Sequence, residues 1–138
     1  MNPVLVVVVL LGLVALATGL GLLWTSLQGR VKLGSQRVVA IDGIALGERA
    51  TLLQFSTDVC APCRSTARVL DALADGVDDV AHIELDVTHR PDLAARYNVM
   101  QTPTTFILDR DGSVRARIGG AVRRDLITAE LDRILVSA

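Results

Sequence analysis

Hydrophobic and polar positions divide the chain into two regimes. From Pro3 to Trp24 there is no charged residue, and nearly every position is Val, Leu, Ala or Gly. A helix over these residues rises about 1.5 Å per residue, roughly 33 Å in all, enough for a hydrocarbon layer about 30 Å thick. This pattern predicts a transmembrane helix over residues 1–24, with Trp24 at its interfacial end. A cleaved signal peptide needs a basic stretch before the apolar run and a small-x-small exit site. Met1-Asn2 is uncharged, and the exit reads Leu22-Leu23-Trp24-Thr25-Ser26, so the anchor is the better reading. Residues 25–37 turn polar, carry Gly29 and Gly34 and keep no period, which predicts a linker.

From Val38 to Ala138 the period changes repeatedly. Thr51 to Ser56 is a short apolar run, read as a buried strand. A helical stripe follows at Cys63, Ala67, Leu70, Ala74 and Val77, closed by Gly76. Residues 80–87 alternate as a strand, Pro91 to Tyr97 reads as a short helix, and Thr104 to Asp109 as a further strand. Asp111-Gly112 signals a hairpin into Ser113 to Ile118. Arg123 to Val136 gathers Leu126, Ile127, Leu131, Ile134 and Leu135 on one side of a last helix. The order β-α-β-α-β-β-α predicts an α/β domain, a mixed sheet with helices on both faces.

Composition narrows the partners. The 138 residues are 51% hydrophobic with a formal net charge of -1, so no basic excess points to nucleic acid and no acidic block to a disordered tail. A domain of roughly 100 residues is of normal size for one core.

The two cysteines stand in Val59-Cys60-Ala61-Pro62-Cys63, between the first strong strand and the first helix. A cysteine at a helix N-terminus faces free N–H groups and the positive end of the macrodipole, which favours the thiolate and marks Cys60 as the nucleophile. Cys63 falls one turn inside, on the apolar stripe, as the shielded resolving thiol. Pro62 sits where its missing N–H costs nothing and its fixed φ starts the helix. A structural disulfide across so short a loop gains little chain entropy. A zinc site could recruit His82 and His89, but their spacing along a strand puts them on opposite faces. Dithiol-disulfide exchange is therefore the leading reading, with no metal and no cofactor beyond the Cys60-Cys63 pair itself. The alternative is a tethered module that binds a peptide without turnover.

The segment from Phe55 to Arg64, with its Cys-x-Pro-Cys, resembles the active-site segment of the thioredoxin-like superfamily. Gln101-Thr102-Pro103-Thr104 resembles that family's cis-proline loop, and Asp111-Gly112 and Gly119 its hairpin turn and following glycine. The resemblance runs from about Val38 to Ala138 and implies a thioredoxin-like fold. It also implies a thiol-disulfide oxidoreductase acting on protein or small-molecule disulfides, and an electron donor that the sequence does not identify. It implies that Thr102 and Pro103 hold the substrate.

Several positions depart from that pattern. Val59 stands where a tryptophan is usual, and Ala61 where a glycine is usual. Gln54 replaces the buried aspartate that helps move the resolving thiol's proton; an amide cannot act as that base. His82 takes the place of the lysine partnering the aspartate, and its ordinary pKa of about 6.5 suits proton exchange with Cys63.

Residues 38–46 look like the N-terminal extension of membrane-tethered thiol-disulfide reductases such as those of cytochrome c maturation. Thr66, standing where some of these carry a glutamate, gives no support for a haem-maturation role. Arg30, Lys32 and Arg37 follow the anchor and no basic side chain precedes it, so the positive-inside rule favours a single-pass protein with its domain on the cytoplasmic side.

Overall fold

The computed structural model describes residues 2–27, 31–33, 39–41 and 43–137. Of the expected linker, residues 28–30 and 34–37, Arg30 and Arg37 among them, lie outside the described residues, as do Val38, Asp42 and Ala138. Helix α1, Pro3–Leu27, contains one segment, Pro3–Trp24, long and apolar enough to cross a membrane. Nearly all of its large side chains from Val4 to Trp24 are exposed.

Strands β1 (Val31–Leu33), β2 (Ala50–Ser56), β3 (Val80–Asp86), β4 (Thr104–Asp109) and β5 (Val114–Gly119) form one sheet in the order β1-β5-β4-β2-β3. Strand β2 pairs parallel with β3 and antiparallel with β4, so the sheet is mixed, as expected. Helices α2 (Ala61–Ala74), α3 (Pro91–Arg96) and α4 (Arg124–Ser137) complete the domain.

Because β2 is central it is buried on both faces, which is why TLLQFS reads as a continuous run instead of an alternation. Its even positions Ala50 and Leu52 pack with Leu70 and Leu73 of α2 and with Ile127, Leu131 and Ile134 of α4. The odd positions Leu53 and Phe55 pack on the opposite face with Leu93 beside Tyr97, Phe106 and Leu108. Phe55 is the hub of an aromatic cluster there, 5.0 Å from Phe106 and 5.7 Å from Tyr97 between ring centroids.

Two expectations need correcting. The stretch read as a linker contributes β1, whose residues pair antiparallel with Ile118, Arg117 and Ala116 of β5. Three residues are too few to show a period, and an edge strand is held by backbone bonds that no side-chain pattern announces. Gly76 does not end α2 in a left-handed turn. The helix closes on Asp75 at φ -64° and ψ -26°, and the positive φ, 65°, falls on Asp79. The hairpin glycine behaves as expected: Gly112 has φ 77° and donates to Asp109 O.

Candidate active site

Cys60 is the N-cap of α2, with Ala61 and Pro62 opening the first turn. Its extended backbone lets the side chain turn back over the helix end, where Sγ accepts from the Cys63 N–H at 3.2 Å. Cys60 and Cys63 are joined by a disulfide with S–S 2.04 Å. Both are buried, Cys60 at 7% and Cys63 at 2% exposure, so the expected contrast between an open and a shielded sulfur is one of degree in this oxidised form. Val59, by contrast, is 96% exposed.

A second loop meets this turn. The Thr102-Pro103 peptide bond is cis, and Thr102 Oγ1 lies 3.3 Å from Thr57 Oγ1, tying the two loops together. Thr104 Oγ1 donates to Gln101 O and the Gly120 N–H donates to Pro103 O, fixing the loop from both sides. Thr102 and Pro103 thus stand beside the cysteine loop. Met100, 83% exposed, adds an apolar side chain to the same loop as Thr102.

Beneath the helix, Gln54 is fully buried. Its Nε2 donates to Cys63 O at 3.0 Å and to Glu84 Oε1 at 3.4 Å. His82 lies elsewhere: Nδ1 is 2.6 Å from Asp71 Oδ1 of α2, and the described hydrogen bonds include none between His82 and Cys63. The β2-β3 register explains the difference, since Gln54 lies opposite Glu84 and His82 opposite Leu52. Glu84 went unnoticed in the sequence because its link to the site passes through strand pairing. Thr105, opposite Gln54 on β4 and fully buried, was likewise missed, and Thr66, one turn after Cys63 in α2 and 1% exposed, was weighed only as the replacement of a glutamate. The alternating pattern of the strand could have flagged Glu84, which shares a face with His82.

The rim carries an acidic pair. Thr88 donates to Asp86 Oδ1 through its hydroxyl at 2.6 Å and its N–H at 2.7 Å, while its Oγ1 accepts from the Asp58 N–H. The Thr88 bonds hold Asp86 below the ordinary carboxylate range. Hydrogen bonding to Asp86, reinforced by charge repulsion from it, pushes Asp58 up.

A disulfide capping a helix at the end of a central strand, faced by a cis-proline loop on a mixed sheet, defines the thioredoxin-fold class of redox proteins. The thioredoxin family model matches residues 42–133, and the chain belongs to that family. Thioredoxin H2 of Arabidopsis thaliana is 39% identical over 75 residues, which are 54% of this chain and 56% of that protein. Thioredoxin of Staphylococcus epidermidis is 35% identical over 85 residues, 61% of this chain and 81% of the relative. The X-ray structure of Fasciola hepatica thioredoxin superposes with a TM-score of 0.54 at 28% identity, over 63% of this chain and 82% of that one. The match to the Arabidopsis protein therefore spans less than two thirds of its length.

Proposed function

We infer that the protein is a membrane-anchored thiol-disulfide oxidoreductase that works as a reductase. The observation that carries this reading is the Cys60-Cys63 disulfide at the N-terminus of α2, with the cis Thr102-Pro103 bond tied beside it through Thr57. In the reduced protein the Cys60 thiolate attacks one sulfur of a protein or small-molecule disulfide, forming a mixed disulfide and expelling a first thiolate. Cys63 then gives up its proton and attacks Cys60 Sγ. The second substrate thiolate leaves and is protonated, and the pair is oxidised. A dithiol donor must return two electrons and two protons. Thr102 and Pro103 hold the substrate segment, with Val59 and Met100 offering it apolar contact.

Neither Ala61 nor Pro62 adds positive charge beside Cys60, which supports a reducing pair over a strongly oxidising one. The length and composition of Pro3–Trp24 support anchoring in a lipid bilayer. Arg30, Lys32 and Arg37 after it support a cytoplasmic domain. A reporter fused after Ala138 tests the sidedness and is expected to read cytoplasmic.

Insulin reduction driven by a dithiol tests the activity. The chain should turn over, Cys60→Ser should be inactive, and Cys63→Ser should accumulate a mixed disulfide with the substrate. Binding without turnover in the unmodified protein would establish the peptide-binding alternative instead.

A further inference from the structure

Four buried side-chain polar atoms among the described residues have no hydrogen-bond partner in the protein: Gln54 Oε1, Thr66 Oγ1, His82 Nε2 and Thr105 Oγ1. Buried polar groups are nearly always paired, so each such atom calls for a reason. His82 belongs to its pair with Asp71. The other three belong to residues that neighbour Cys63 or Gln54. Gln54 bonds the Cys63 carbonyl, Thr66 follows Cys63 by one helical turn on the buried side of α2, and Thr105 faces Gln54 across the β2-β4 ladder.

The Gln54 amide can be oriented in only one way. Cys63 O can only accept, so the amide nitrogen must face it, and the same nitrogen also donates to Glu84 Oε1. What remains, under the first turn of α2, is the carbonyl oxygen. It can accept but not donate, and it is fully buried.

We propose that Gln54 is a positioning residue whose Oε1 accepts a hydrogen bond from the Cys63 thiol when the disulfide is reduced, beside the buried hydroxyls of Thr66 and Thr105. In the disulfide, Cys63 Sγ has no proton to donate. Reduction by a dithiol breaks the S–S bond, delivers two electrons and two protons, and leaves Cys63 as S–H, the donor that Oε1 lacks. A hydrogen bond donated by the neutral form favours that form, so the Cys63 thiol is held protonated until it attacks. Its proton is then lost as the departing substrate thiolate gains one.

The charged and titratable groups on the surrounding elements are His82, Glu84 and Asp86 on β3, Arg64, Arg68 and Asp71 on α2, Asp109 on β4, and Arg124, Asp125, Glu130, Asp132 and Arg133 on α4. Of these, only Glu84 touches Gln54. Because an amide does not titrate, Gln54 itself adds no ionisation to the resolving step. The bond exists only in the reduced protein, so it also shifts the thiol-disulfide equilibrium toward the dithiol.

This inference deepens the redox reading but is tested at equilibrium, without turnover. In full-length Cys60→Ala protein, Cys63 is the single thiol. Its infrared S–H band should lie at the lowered frequency of a bonded thiol, and its thiolate absorbance should titrate above the ordinary value of about 8.5. Gln54→Leu should return both toward unbonded values, and Gln54→Glu, which keeps the acceptor, should retain the lowered band. With both cysteines present, Gln54→Leu should shift the equilibrium with dithiothreitol about threefold to tenfold toward the disulfide, the range expected for one modest hydrogen bond. An unshifted band in the Cys60→Ala protein, where Gln54 is intact, overturns the proposal even if Gln54→Leu does not fold. So does a band that moves with Thr66→Val and not with Gln54→Leu. Failure to reduce insulin with the lowered band present would count against the enzymatic reading alone.

Discussion

Thr88 sets two neighbouring carboxyls of the rim into different protonation ranges. Its hydroxyl and N–H both donate to Asp86, which lowers that carboxyl, and the bond and repulsion from Asp86 raise Asp58, two residues before Cys60. The signs are opposite. Asp86 contributes stability above the ordinary carboxylate pKa and loses it as pH falls through its lowered value. The contribution of Asp58 is present at low pH and lost as pH rises through its raised value. Thr88→Val removes the hydroxyl donor and keeps the shape, so Asp86 should titrate closer to an ordinary carboxylate. Carbon-13 NMR titration of the two carboxyls measures this directly; an Asp86 midpoint that does not move would show that the backbone bond suffices. The same scale explains what the sequence could not reveal about Gln54. The loss of an acid at that position is legible by resemblance, but Thr105 and Glu84 reach it only through strand register, 51 and 30 residues away by number.

Arg117 on β5 ties that strand to the end of α3, just ahead of the cis-proline loop. Its guanidinium donates to Tyr97 O at 3.0 Å and to Asn98 O, and it lies 5.1 Å from the Phe106 ring centroid. Burial lowers its pKa. These bonds satisfy carbonyls at the end of α3, just where Asn98 takes a φ of 52° and the chain turns toward Gln101-Thr102-Pro103. Arg117→Leu keeps some of the packing but leaves both carbonyls without their charged donor. The expected loss is about 1–3 kcal/mol in urea unfolding, with faster amide exchange over residues 98–101. Elements were legible in the sequence where burial on one or both faces imposed a period. Strand β4, Thr104–Asp109, lies where the apolar run predicts it, and α4 is shifted by one residue. Strand β1 was not, because three edge residues held by backbone bonds carry no such period. In α2 the apolar stripe located the buried face but passed over Thr66, a polar residue buried among apolar neighbours.

At the scale of the whole molecule, β1 changes how far the domain can move from helix α1. Helix α1 ends at Leu27 and β1 begins at Val31, so four Cα-to-Cα steps separate them. At about 3.8 Å each, those steps span at most about 15 Å, whereas a free 13-residue linker could reach about three times as far. The register sharpens the consequence. Val31 pairs with Ile118, the adjoining Gly119 pairs with Thr104, and the Gly120 N–H donates to Pro103 O. The chain therefore enters the sheet at the end that carries the cis-proline loop and, through Thr57, the cysteine loop. If α1 is embedded in a bilayer, the redox site is held close to its surface, and disulfides near that surface are favoured over distant ones. Inserting about 15 Gly/Ser residues between Leu27 and Val31 adds a flexible reach of about 20 Å, at roughly 5–6 Å times the square root of the residue number. In reconstituted vesicles the insertion should slow reduction of a disulfide displayed on a short lipid anchor and leave that of soluble insulin unchanged. Equal rates on both substrates before and after insertion would show that the short connection does not select the substrate. Loss of vesicle association in the unmodified chain would instead remove the anchor on which the expectation rests.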